Sequence, residues 1–382
     1  MVIFMKRTIF NKVSRIVSLT LVCGMLLTAC NTADGQNVSG NQSGGAVAVE
    51  ANQEIASTQL MTIEDYTIYM PDLYLYLIQY IYNNGVKADQ LDDMTKASII
   101  NSAINQMKLE TVEYLLALQS DITLTEEQEQ MITDTSSRFY NTFGAEFLAA
   151  YGIDEECVYR LFERQLYISG ITNKAMQDMT ADYLEQYQEE YADLQFHSVY
   201  YALFPSIQYD EEGNIVKDDD GNAIPLTEEE MEAQLALAEE FHQRAVEGQA
   251  SGDAAATMEM LVAEYGIGYC SGIERNYTGA YVQELNDVIS GLKEGDISDV
   301  VKTDAGYMIV RMDNTNDEDY KEYMISFLAQ QSANNLLPTM QDSWMTQSGA
   351  ASIQPDSTAL ASVDLTTLCT SMNEKGLTLG GN

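Results

Sequence analysis

Histidine is almost missing from this 382-residue sequence, which holds two, and tryptophan occurs once. The five cysteines are scattered, so no His/Cys set with the spacing of a zinc site can be assembled, and no metal is expected. Lys and Arg together number 19 against 59 Asp and Glu, a net charge of −40. Phosphate-backbone binding needs clustered basic side chains, so nucleic acid is excluded as a partner. Neither a G-x-S-x-G elbow nor a phosphate-binding glycine loop is present, which argues against hydrolases and nucleotide enzymes. Acidic pairs such as Glu155-Glu156 sit on helical stretches, where a solvated face is the ordinary role. No cofactor is expected.

At the N-terminus Lys6, Arg7, Lys12 and Arg15 accompany a short apolar run, Ile16 to Ala29, which ends in "LLTAC". A charged leader, a run too short to span a bilayer comfortably and small residues before a cut make a secretory signal. Leu27-Thr28-Ala29-Cys30 has the form of a bacterial lipobox, so Cys30 is read as the lipidated first residue of the mature chain. Removing residues 1–29 takes four basic and no acidic side chains, leaving 15 Lys+Arg against 59 Asp+Glu, or −44. Beyond the signal no run of eighteen apolar residues occurs, and the acyl anchor is the expected membrane attachment. Cys157, Cys270 and Cys369 then remain, odd in number and no disulfide framework.

From Asn31 to about Thr58, Gly, Ser and Asn dominate without apolar periodicity, the composition of a flexible tether. Helical signals are expected from about Met61 to Asp193. Pro71 suits a first turn, "DLYLYLIQYIY" follows, and Asn83-Asn84-Gly85 stops it, although the Leu/Tyr alternation also fits a strand. Thr125 and Gln128 form a capping box. Val158, Leu161, Phe162, Leu166 and Ile168 mark the apolar stripe of a further helix.

The pattern changes at Phe196, where "FHSVYYALFP" is β-rich. Gly213-Asn214 and Gly221-Asn222 predict a surface hairpin insertion, about 206–225. Asp218, Asp219 and Asp220 do not fit a calcium loop. With Gly221 sixth, Val216 stands first and Thr227 twelfth, where acidic ligands are required. Thr227 to Glu230 caps a helix with stripe Met231, Leu235, Ala238, Phe241 and Ala245, closed by Gly248. Two short helices, "TMEMLVAEYG" and "AYVQELNDVI", precede "VKTDAGYMIVRMDN", a turn feeding a strand. Along that strand Met308, Val310 and Met312 share one face, and Tyr307, Ile309 and Arg311 the other. The helix after Asp317 is expected to carry Tyr320, Met324, Phe327 and Leu328 on one face. Residues 348–382 read as a polar, loosely ordered tail. The fold class is α+β, with the mainly helical part interrupted by a compact α+β unit.

The stretch "GLKEGDISDVVKTDAGYMIVRMDN" resembles the end of a parvulin-type peptidyl-prolyl isomerase domain, and the likeness extends back to about Gln195. The flanks resemble the helical domain of SurA- and PrsA-type foldases. With the lipobox, the whole resembles a PrsA-like extracytoplasmic foldase lipoprotein. This resemblance implies residues 59–194 as a helical chaperone domain, 195–314 as a parvulin-like insert of about four strands, and 315–347 as helices completing the first. It further implies a location at the outer face of a Gram-positive cell membrane and unfolded or nascent secreted polypeptides as partners. A homodimer is compatible with it.

In parvulins two histidines face each other across the prolyl site. The second follows the Gly-aromatic pair, here Gly306-Tyr307, so Met308 holds its place, and Tyr201 falls at the first. His197 lies four residues upstream on the same strand face. Cys270 is the candidate for the family's loop acid or cysteine, with a buried small hydrophobe as the alternative. Tyr281 and Leu285 match the apolar positions that grip proline. The resemblance thus implies catalytic positions at Tyr201, Met308 and Cys270 and substrate contacts at Tyr281, Leu285 and His197. The favoured expectation is a tethered foldase with weak or lost isomerase activity. An active isomerase using Tyr201 and Cys270, or a lipoprotein binding a solute or wall component, are the alternatives. Changing Cys30→Ser is expected to move the protein from the membrane pellet to the soluble fraction, measured by fractionation alongside incorporation of labelled fatty acid.

Overall fold

The computed structural model describes residues 50–377 apart from 211 and 253. The signal segment, Cys30 and most of the expected tether lie outside the described residues. The chain forms two compact units, residues 50–181 with 332–377, and residues 182–331.

The helical unit opens with α1 (Gln53–Ser57), where the expected tether gives way to structure: the Asn52 side chain accepts from the amides of Glu54 and Ile55. A hairpin of β1 (Gln59–Ile63) and β2 (Tyr66–Tyr69) follows, where helix is expected from Met61. Thr62, Ile63, Thr67 and Ile68 are β-branched, and the turn relies on Glu64 at φ +52, so no Gly or Asn announces it.

Helix α2 (Met70–Asn84) has Pro71 in its first turn and is capped by Gly85 in the left-handed region, φ +59. Leu73, Tyr74, Leu75, Tyr76, Leu77 and Ile78 are all buried. A helix surrounded by neighbours needs no polar face, which explains a Leu/Tyr pattern that sequence periodicity leaves ambiguous. Around it stand α3 (Asp93–Gln119), α4 (Glu126–Phe143), capped by Thr125 and Gln128, α5 (Ala145–Ala150) and α6 (Glu155–Glu190). Of the expected α6 stripe, Val158, Leu161 and Ile168 are buried while Phe162 and Leu166 are half-buried.

Two buried charged groups of this core, Glu110 and Arg164, share a network. Tyr76 donates to the Glu110 carboxylate, which also accepts from Gln106 and Gln165, each at 2.6 Å. The buried Arg164 donates to Tyr76 at 3.3 Å and lies 3.8 Å from Asp72. An unmatched charge here would carry a desolvation penalty of several kcal/mol.

The second unit begins with β3 (Phe196–Pro205). Residues 206–225 form a ladder of bridges, Ile207 to Pro225, Tyr209 to Ile215 and Lys217 to Ala223. Asp210 and Asp218 accept turn amides there, so the acidic cluster serves its own turns. Helix α7 (Glu228–Ala250) packs against α8 (Ala254–Glu264). Gly248 does not close α7; a Cβ there would meet Thr257 Oγ1 at 2.3 Å, so the glycine lets α8 approach. Then come β4 (Ser271–Tyr277), α9 (Gln283–Ile289), β5 (Val301–Thr303) and β6 (Gly306–Asn314). The sheet is antiparallel in the order β4-β3-β6-β5. Residue periodicity alone shows only β3 and β6. Segment 271–277 reads as loop because Gly272, Arg275 and Asn276 have little strand propensity.

Both sheet faces are covered. Ala202, Phe204, Tyr307 and Ile309 pack with Phe241 and Met258, and Val199, Leu203, Met308, Val310 and Met312 pack with Leu285 and Ile289. The face assignment along β6 therefore holds.

Helix α10 (Glu318–Gln347) leads back to the helical unit, followed by α11 (Ser357–Ala361) and α12 (Leu365–Glu374). Along α10 the expected face is half-buried at Tyr320, Met324 and Leu328 and exposed at Phe327, while Ile325, Ala329 and Ala333 are the fully buried positions. The supposed polar tail is folded as far as residue 377. Leu365, Leu368, Cys369 and Met372 recur at helical steps and enter the main core, and Cys369 Sγ lies 3.3 Å from the Val86 carbonyl oxygen. Among the described residues no helix is long and apolar enough to cross a membrane.

Gln341 of α10 donates to Glu113 of α3 at 2.7 Å. Burial is the main cause that raises the Glu113 carboxyl from 4.5 to about 7. A raised carboxyl favours the native state below about pH 4.5, and that advantage disappears as pH rises through about 7. Glu113→Gln is therefore expected to gain stability over the parent between pH 4.5 and pH 8, on the order of 2–3 kcal/mol. Urea unfolding across that range checks it.

Candidate functional site

The strand register fixes which of the expected site residues meet. On β3 and β6, Leu203 is paired with Met308 and Tyr201 with Val310. Tyr201 and Met308 are thus diagonal neighbours on one face, a separation of about 7–8 Å in an antiparallel pair. Met308, 2% exposed, lies in one cluster with Cys270, Tyr281 and Leu285, and Tyr201 packs against the same cluster. Five of the six expected side chains therefore come together, from strands β3 and β6, the short turn that ends at Cys270, the segment before α9 and α9 itself.

His197 does not join them. A register shift between Ser198 and Val199 ends the regular β3–β6 pairing, and His197 stands opposite Asn276 of β4. Its Nε2 is 2.9 Å from Thr278 Oγ1, and burial lowers its pKa. It acts there as a structural link between strand and loop.

The polar groups in the cluster are mostly phenols. Burial, then Glu274 and Cys270, raise the pKa of Tyr201. Cys270, at the end of a short 3-10 turn (Gly268–Cys270), is buried and its thiol is pushed up by desolvation. Burial first, then Cys270, push the pKa of the neighbouring Tyr209 to about 12. A buried thiol held protonated is a poor nucleophile. Tyr281 is 7% exposed, and its hydroxyl is buried without a hydrogen-bond partner among the described residues. Desolvation raises its pKa most, followed by the charges of Glu274 and Tyr320.

Two members escape sequence reasoning. Glu274 is paired with Val199 and so shares this face, its half-buried carboxyl raised chiefly by desolvation. Only recognition of β4 as a strand would have assigned its direction. Tyr209 belongs to the hairpin insertion, whose exposed turns mask the one residue that reaches inward.

Chemically, the face offers an apolar wall and neutral hydrogen-bond donors, with no activated nucleophile. Among the described residues no cluster of His, Cys, Asp and Glu is arranged to hold a metal ion. A separate cleft of 340 Å³ adjoins the other sheet face, lined by Phe204, Leu237, Arg244, Tyr265 and Tyr269. Among its polar groups Arg244 donates to Glu264 at 2.7 and 2.8 Å and Tyr265 to Glu240 at 2.8 Å.

Residues 223–314 match the rotamase family model, described as a PPIC-type PPIASE domain. The matched residues lie within the α+β unit. No curated protein matches the chain. Among solved structures it is similar to a foldase protein (PrsA) from Lactococcus lactis, at 14% identity and TM-score 0.36, covering 82% of this chain and 99% of that one. A peptidylprolyl isomerase (PrsA) from Bacillus cereus is 16% identical, TM-score 0.27, with coverage of 75% and 94%. A SurA-like chaperone structure from Campylobacter jejuni is 11% identical, TM-score 0.26, with coverage of 78% and 99%. Overlaps this low carry no weight for the function of the chain.

The unpaired hydroxyl makes the PPIC-type domain less stable than its packing allows. Tyr281→Phe is expected to raise its stability by about 1–2 kcal/mol, the cost of an unsatisfied buried polar group. A higher denaturation midpoint checks this; a lower one would show that the hydroxyl has a partner.

Proposed function

We propose that this protein is a membrane-anchored extracytoplasmic foldase that binds newly secreted, unfolded polypeptides and whose PPIC-type domain has weak or lost prolyl isomerase activity. The observation that carries the reading is the face around Met308. Leu203, Tyr281, Leu285 and Met308 pack together there, where the resemblance to parvulins puts the prolyl site, with a thioether and a phenol in place of the two histidines.

Prolyl isomerisation makes and breaks no covalent bond. It requires only that a twisted amide be held better than a planar one, against a barrier of about 18–20 kcal/mol. An apolar grip on the ring contributes to both forms and so speeds little. The Tyr201 hydroxyl is the group able to donate to the carbonyl oxygen before proline as the amide twists, and it acts without the second, facing donor that the paired arrangement supplies. Client binding rests on the helical unit and on the acidic surface, which keeps the protein apart from wall polyanions and anionic lipid. An active isomerase using Tyr201 is the second reading, favoured by that same hydroxyl; the buried Cys270 adds nothing to it.

The test is the cis–trans exchange rate of a short X-Pro peptide by NMR, beside aggregation of an unfolded client. Little enhancement is expected from the parent, with aggregation suppressed, and at least a tenfold faster exchange from the pair Tyr201→His and Met308→His. A clear enhancement by the parent that Tyr201→Phe removes would establish the second reading instead.

A further inference from the structure

The first half of α10 carries an aromatic ladder that the PPIC-type fold does not use. Tyr320 and Tyr323 stack with ring centroids 6.3 Å apart, and Tyr323 and Phe327 stack at the same spacing, 21° from parallel. Tyr320 is anchored, edge-on to Phe196 at 6.1 Å. Tyr323 and Phe327 are 65% and 52% exposed. Packing gives no reason for two large aromatics on this line, since the buried stripe of the helix runs through Ile325 and Ala329.

The charges around the ladder have one sign. Glu318, Asp319 and Glu322 are exposed on its turns. The cations nearby are already engaged. Lys321 donates to the carbonyls of Ala192 and Leu194 and sits 5.8 Å over Phe196. Arg275 lies 3.7 Å from Asp317 and over the ring of Tyr320. What stays outward is aromatic faces among carboxylates, a surface whose electrostatic complement is a Lys or Arg side chain stacked on a ring. A second copy of this chain, at net charge −40, would be repelled. The inner end of the ladder is close to the candidate site, because Tyr320 and Glu274 both act on Tyr281.

We propose that Tyr320, Tyr323 and Phe327 form a docking track for a cationic stretch of an unfolded polypeptide, so that basic side chains flanking a proline lie along α10 while the proline enters the face at Met308. This rests on the foldase reading and specifies which clients it favours.

The test uses the full chain in nanodiscs of neutral phospholipid and two labelled, disordered 20-residue peptides. Both contain the same aromatics and one X-Pro bond; one carries Lys at regular intervals and the other Glu at the same places. By fluorescence anisotropy at low salt the cationic peptide is expected to bind at least tenfold tighter, an advantage that shrinks at high salt. Tyr323→Ser with Phe327→Ser is expected to weaken it at least fivefold, leaving the melting temperature and the handling of an X-Pro tetrapeptide unchanged. Equal binding of the two peptides, or undiminished binding by the double variant, would overturn the track. So would a double variant that only disperses a dimer in sedimentation. If the parent binds neither peptide, the foldase reading falls as well.

Discussion

The pairing of β3 with β6 is the constraint on which the α+β unit depends. Both strands are central, both have two buried faces, and their register decides which side chains meet on each. Gly306 makes the start of the pairing possible: its φ is +135, and a Cβ there would lie 2.1 Å from the Phe204 carbonyl oxygen. Because side chains alternate, a slip of one residue would exchange Met308 and Val310 for Tyr307 and Ile309 and dismantle both clusters. The same register brings Tyr201 near Met308 and carries His197 away from it.

Polarity inside the protein follows the same economy in both units. Where a charge is buried its partners are built in, as with Arg164, Tyr76 and Glu110 in the helical unit. Arg311 is the counterpart in the sheet, where it binds Asp313 and the Ala255 carbonyl under the ring of Tyr200. The face around Met308 is different. Its phenols are raised by desolvation and one hydroxyl has no partner, so the polarity there is stored rather than spent.

The surface works by contrast with that interior. A strong excess of carboxylates, 59 Asp and Glu against 19 Lys and Arg, repels other anions. The stacked rings of α10 stand within that field, beside the exposed Glu318, Asp319 and Glu322.

The sequence by itself determined the elements whose signals are local. Capping boxes at Thr125 and Thr227, the stop at Gly85 and the face split along β6 depend on neighbours a few residues away. The apolar members of the candidate site were legible for the same reason, through the spacing of Tyr281 with Leu285 and the place of Met308 after Gly306-Tyr307. Tertiary structure alone decided the rest. Strand β4 has weak propensity and exists because β3 offers it a ladder, and with it came Glu274. The hairpin at 59–69, the folded C-terminal helices and the exposure of Phe327 likewise depend on partners tens or hundreds of residues distant. Long-range pairing supplies the burial that local composition does not announce.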